Sequence, residues 1–224
     1  SLFQLLTGHQ SAVGVAYNQP AKLAAFEAHF DSSAVAPLHL FGWVNEDKQE
    51  VNFGIAIPKF LSFLVYNNTT TPVTGLNAFA KADRPPVQIV FQSYHLMVAI
   101  GMTLIALALV SVFLWMRGRL VENRLMLQIL VASVLLPQLA NQLGWISAEV
   151  GRQPWIVYGL LRTADAFSKS VTSSQVVFSL VLFALIYVLL FVLFIFLLDR
   201  KIKHGPGDDM PTEYEHQKQL FTEH

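Results

Sequence analysis

Glu149, Met97 and His95 are the residues of this chain best suited to hold a metal. Glu149 ends a long uncharged run, with Trp145 four residues before it and Arg152 three residues after it. On a continuous helix, residues spaced three or four apart share a face. A carboxylate at that edge either pairs with its arginine beside an interfacial tryptophan or ligates a group that needs a negative donor. Met97 has Gly101 at i+4 and Ala108 further along, a flat stripe against which a planar ring could lie. The same methionine could equally fill a gap in a core. His95 is two residues away and points to another face, so it cannot share Met97's role. Imidazole and thioether both serve as axial heme ligands, and on residue chemistry alone histidine is the better donor. Lys22 and Glu27 fall in a short predicted helix, Ala21 to Phe30. Five residues apart, they are not stacked neighbours, and the bland alternative is the polar face of a solvated helix.

Membrane helices must position these residues. Of 224 residues, 54% are apolar and 13% charged. A soluble globular chain carries roughly 25% charge, so a water-soluble enzyme is disfavoured, and disorder needs the opposite composition. The 15 basic and 15 acidic residues cancel, so no global field points to nucleic acid or to acidic substrates. Zero cysteines exclude disulfides, thiolate metal sites and a cysteine nucleophile.

Three runs hold most of the hydrophobicity: His95 to Met116, Leu125 to Ser147 and Val176 to Leu198, none with an acidic residue, Lys or Arg. A bilayer core takes about 20 apolar residues in a helix. The expected class is therefore an all-α membrane protein, with spans at about 88–116, 124–149 and 174–199. The second run holds Gln128, Gln138, Asn141 and Gln142, which suggests a face toward protein rather than lipid, and Pro137 should kink it. Residues 1–8 read as the last turns of a further helix ending near Gly8. Residues 9–87 read as a mostly polar region with extended pieces around Val51 to Ile57 and turns at Asn67-Asn68 and Pro85-Pro86. Residues 200–224 read as a polar tail. The chain starts without Met and shows no basic stretch before its first apolar residues, so we expect the later part of a longer polypeptide without a signal peptide.

The link between the first two runs holds Arg117, Arg119 and Arg124, and the tail opens with Arg200, Lys201 and Lys203. Three spans put both segments on one side, and their dense positive charge marks it as cytoplasmic. Residues 9–87 and 148–175 then lie outside. That topology brings Tyr94, His95 and Met97 level with Trp145 and Glu149, two helices offering ligands at one membrane depth.

The stretch Gly144-Trp145-Ile146-Ser147-Ala148-Glu149-Val150-Gly151-Arg152-Gln153-Pro154-Trp155 resembles the signature near the end of subunit I of cytochrome bd quinol oxidases. Leu161-Arg162-Thr163-Ala164-Asp165-Ala166 resembles its continuation. Gln19-Pro20-Ala21-Lys22-Leu23-Ala24-Ala25-Phe26-Glu27 resembles the quinol loop of the same subunit, and Ile57-Pro58 and Val73-Thr74-Gly75-Leu76 fit that loop. The resemblance runs to the start of the tail and implies a subunit that oxidises quinol at the outer face and reduces oxygen to water. It implies two b-type hemes and one heme d (or a third heme b), and a proton-motive force built without pumping. By the same resemblance, Glu149 matches the ligand of the high-spin heme b and Met97 the ligand of the low-spin heme b. Lys22 and Glu27 match the pair implicated in quinol binding, and Trp145 and Arg152 match residues beside the high-spin hemes.

His95 stands where one branch of the family has arginine near the low-spin heme, which also leaves it a rival ligand to Met97. The chain matches only the C-terminal half of such a subunit, and the family's histidine ligands lie in the other half. The implied partners are that N-terminal half, subunit II, small single-span subunits and membrane lipid, in a bacterial or archaeal cytoplasmic membrane. The competing readings are a non-catalytic anchoring or assembly subunit on the same fold, and a transporter. A transporter should show broken-helix pairs or inverted repeats, and three spans offer neither.

Overall fold

Residues 2–33, 36–168 and 170–204 are described in the computed structural model. The C-terminal part of the expected tail, 205–224, lies outside the described residues. The chain divides into two compact units, residues 1–167 and 168–224.

The first helix, α1, runs Leu2–Asn18, ten residues beyond the end expected at Gly8. Glycine in a helix costs only about 1 kcal/mol against alanine, and no proline intervenes before Pro20. The helix stops where the Asn18 amide donates to the Gly14 carbonyl at 2.8 Å and Pro20 follows. Pro20 then opens α2, Pro20–Phe26, since a first-turn residue needs no intrahelical N–H partner. This helix is shorter than the expected Ala21 to Phe30, because Ala28 takes a positive φ of 47° and turns the chain away.

Strands β1, Leu38–Asn45, and β2, Glu50–Ile57, form an antiparallel hairpin with Trp43 opposite Asn52 and Asn45 opposite Glu50. Helix α3, Phe60–Tyr66, ends on Asn67 in a left-handed conformation. After Pro85-Pro86 the long helix α4 runs Val87–Met116, and Gly118, with φ +69°, turns the chain. The second span is built from two helices, α5 (Arg124–Ser133) and α6 (Leu136–Gly151). The break falls at Val134-Leu135, and Pro137 sits in the first turn of α6, so the expected kink is there. A short hairpin follows, β3 (Trp155–Val157) with β4 (Leu161–Arg162).

Two small cores hold the α1–α3 region together, and the first takes in the start of α4. One gathers Ala24, Phe26, Val44, Leu76, Val90 and Phe91 from α2, β1, the turn Leu76–Ala78 and α4. The other joins Ala16, Leu23, Leu61 and Val65 from α1, α2 and α3. Among the described residues, three helical segments are long and apolar enough to cross a membrane: Lys81–Met116, Arg124–Gly151 and Ser173–His204. The fold is that of an all-α membrane protein carrying two small hairpins outside the spans.

In the second unit, α7 runs Ser173–His204, five residues past the expected boundary at 199. Lys203 pairs with Asp199 one turn earlier at 2.7 Å, and basic residues in a last helical turn meet the negative end of the helix dipole. An apolar helix with no polar face belongs in lipid or within a bundle.

Candidate functional site

Helices α4 and α6 pack antiparallel, and glycines fix how closely. A Cβ at Gly151 would lie 3.3 Å from the Val90 side chain, and one at Gly144 would lie 2.8 Å from the Met97 sulfur. Val90 therefore faces Gly151 and Met97 faces Gly144. This register sets Met97 level with Trp145, as the topology predicts. Glu149 lies five residues further along α6, about 7.5 Å nearer to α2 at 1.5 Å per residue. Trp145 is exposed.

Helix α2 lies across the same end of the pair. Lys22 Nζ donates to the Ala148 carbonyl at 3.0 Å, and the ammonium lies 5.7 Å from the centre of the Phe26 ring. Phe26 stacks on Tyr94 of α4 with centroids 4.5 Å apart. Burial holds the Lys22 amine below its usual range, the Arg152 charge adds to that, and Glu149 opposes it. Glu149 pairs with Arg152, and Gln153 donates to the Glu149 carbonyl at 3.3 Å. Arg152 Nε is buried without a partner. Lys22, Arg152, Asp83 and Tyr158 line a crevice of about 10 Å³, room for roughly one water.

Glu27, the C-cap of α2, goes the other way. Its side chain is 2% exposed, and Oε2 has no partner. Burial pushes its carboxyl up to about 8, and a hydrogen bond from the His39 backbone works against that. Lys22 and Glu27 thus share a helix and diverge, one to α6 and the other toward β1.

His95 is bound on both sides of its ring. Nδ1 lies 2.9 Å from the Phe91 carbonyl and Nε2 2.8 Å from the His39 carbonyl, while the ring stacks on Phe91 with centroids 3.9 Å apart. His39, on β1, was not singled out from the sequence. Its Nδ1 lies 3.1 Å from the Glu27 carbonyl, and burial holds its imidazole below the usual range. A second overlooked contact is the Arg162–Asp83 ion pair, which ties the β3–β4 hairpin to the approach to α4. Arg162 also sits 4.9 Å from the centre of the Trp155 ring. No signal at the sequence level pairs residues so far apart.

No cluster of three or more His, Cys, Asp or Glu residues able to hold a bare metal ion occurs among the described residues. Met97 and Glu149 stand as single donors on different helices. A single donor suits an iron whose in-plane ligands come from a porphyrin. A thioether donor, which packs against Gly144, and the unsatisfied Arg152 Nε fit such a group with acidic substituents.

The model of the cytochrome bd terminal oxidase subunit I family matches residues 1–206. Over 214 residues the chain is 35% identical to cytochrome bd ubiquinol oxidase subunit 1 of Bacillus subtilis (strain 168), covering 91% of this chain and 46% of that protein. It is 26% identical over 278 aligned positions to cytochrome bd-II ubiquinol oxidase subunit 1 of Escherichia coli (strain K12), covering 93% of this chain and 54% of that one. The alignment is longer than the chain's 224 residues, so the E. coli protein carries inserted residues. Among solved structures, the bd oxidase from Geobacillus thermodenitrificans matches with a TM-score of 0.74 and 39% identity, covering 90% of this chain and 46% of that one. The chain spans about half the length of the relatives it matches.

Proposed function

The chain belongs to the cytochrome bd terminal oxidase subunit I family, and we propose that it is the C-terminal half of the heme-carrying subunit of a membrane quinol oxidase. The complex oxidises quinol at the outer face and reduces oxygen to water. Quinol protons leave outside, oxygen's protons come from the cytoplasm, and a proton-motive force forms without pumping. Residues 9–87 and 148–175 lie outside, and the Arg117–Arg124 link and the tail lie inside. The partners are the N-terminal half, subunit II and small single-span subunits, in a bacterial or archaeal cytoplasmic membrane.

The observation that carries this reading is the hydrogen bond from Lys22, in the quinol-loop motif, to Ala148, the residue before Glu149. It joins the two family motifs at one point. Met97 would hold a low-spin heme b and Glu149 a high-spin heme b, and the third heme would be a heme d or a further heme b. A heme held there supplies a one-electron iron couple. A thioether ligand favours the reduced iron and a carboxylate disfavours it. The two carbonyl contacts of His95 support Met97 as the ligand.

Lys22 donates a hydrogen bond to one quinol oxygen. The ionised Glu27 carboxylate accepts a hydroxyl proton, and its value near 8 suits a general base working close to neutral pH. Oxidation removes both hydroxyl protons and an electron pair.

The test is a reduced-minus-oxidised spectrum of the purified complex together with quinol kinetics. Bands of b- and d-type heme are expected, and Lys22→Ala or Glu27→Ala should impair quinol turnover while sparing heme content. A complex without heme bands would reject the proposal.

A further inference from the structure

Three hydrogen bonds fasten the β1–β2 hairpin to one face of α4. The Glu46 carboxylate accepts from the Gln88 backbone N–H at 2.7 Å. Gln92 Nε2 donates to the Gly42 carbonyl at 2.7 Å, and His95 Nε2 lies 2.8 Å from the His39 carbonyl. Positions 88, 92 and 95 recur at i, i+4 and i+7, so they form one stripe on the helix. A carbonyl can only accept and a neutral imidazole carries one N–H, so the tautomer decides whether the His95 ring donates to His39 or to Phe91. The connection then continues: His39 meets the Glu27 carbonyl through Nδ1 at 3.1 Å. Glu27 Oε2 is buried and left without a partner, an unused acceptor for a hydroxyl admitted beside it.

We infer that His95, with Gln92, is a positioning residue of the quinol site, holding β1 against α4 and so setting where His39 and the Glu27 carboxyl stand. The inference rests on the quinol reading above. It gives His95 a task other than ligating iron: its ring stacks on Phe91, and each of its nitrogens faces a backbone carbonyl.

The experiment uses the intact oxidase. His95→Leu removes the ring contact to the His39 carbonyl, whereas His95→Gln offers an amide N–H at a similar reach. His95→Leu should raise the quinol KM by roughly three- to ten-fold, the worth of one hydrogen bond, and raise it more than it lowers kcat. Hydrogen exchange across residues 38–57 should quicken, and the low-spin heme b band should persist. His95→Gln should restore both KM and exchange, and Gln92→Leu should act in the same direction as His95→Leu.

Loss of the low-spin band in His95→Leu would make His95 a ligand and overturn the inference. So would an unchanged KM and exchange rate in both His95→Leu and Gln92→Leu, or a His95→Gln variant no better than leucine. Lys22→Ala and Glu27→Ala separate the two levels. If they impair quinol kinetics and the His95 series does not, only this inference fails; if neither alters quinol kinetics, the quinol reading fails and takes this inference with it.

Discussion

Replacing Glu27 by glutamine keeps the shape of the side chain and removes its proton chemistry. Glu27 is 2% exposed, and burial lifts its carboxyl from 4.5 to about 8. A carboxyl with a folded value above its unfolded value holds its proton more tightly when folded. Its contribution to stability is therefore complete below about pH 4.5, fades as pH rises, and is gone above about 8. At about 1.4 kcal/mol per unit the full swing is about 5 kcal/mol, a large share of a typical domain's stability. Glu27→Gln has no such swing.

Hydrogen exchange of α2 and β1 amides in the intact complex, measured for both proteins from pH 5 to 9, isolates the effect. The ratio of the two rates at each pH cancels the intrinsic chemistry of exchange. The wild-type protein should open increasingly more than the variant as pH rises toward 8, with the ratio growing by up to about tenfold per unit where opening exposes Glu27. Infrared titration should show a protonated carboxyl band at pH 6 that disappears with a midpoint near 8 and is missing from Glu27→Gln. A flat exchange ratio, or a midpoint below 6, would refute the reasoning. Kinetics follow from the same value. At pH 7 about one Glu27 in ten is ionised, so quinol-limited turnover should climb toward pH 8, and the variant should lose that climb.

Met97→Leu should abolish the low-spin heme b signal and leave the high-spin bands, read in a reduced-minus-oxidised spectrum; survival of the low-spin band would remove Met97 as its ligand. Gly144→Ala should disturb the same heme without unfolding the helix pair. A Cβ there would lie 2.8 Å from the Met97 sulfur, the end of a flexible side chain that swings aside at little cost in stability. Redox titration should show a lowered low-spin potential with an unshifted melting temperature, and an unchanged potential would separate Gly144 from ligand placement.

The spans were legible because lipid imposes a strict rule on sequence: long uncharged runs must be helices. The Glu149–Arg152 pair was legible too, since three-residue spacing on a helix is nearly a contact by itself. Strand β1 was not. Register shifts between His39 and Phe41 and between Phe41 and Trp43 destroy the two-residue alternation that marks a strand. With β1 unseen, His39 had no position, and the connection between Glu27 and His95 could not be drawn. Helix α1 runs on past Gly8 to Asn18, because glycine only weakens a helix and does not stop it.

The Lys22 contact shows a different limit. Its acceptor is the Ala148 carbonyl, 126 residues away, and a backbone carbonyl is present at every position, so residue type carries no trace of it. Two chemical groups that read as a pair along the sequence, Lys22 and Glu27, are therefore separated by the fold toward different helices. The lysine sits against the end of α6 that carries Glu149, and the carboxyl sits under β1 against α4, which carries Met97. A quinol spanning that short helix would touch both helices that carry the heme-ligand candidates, which five residues of spacing alone could not imply.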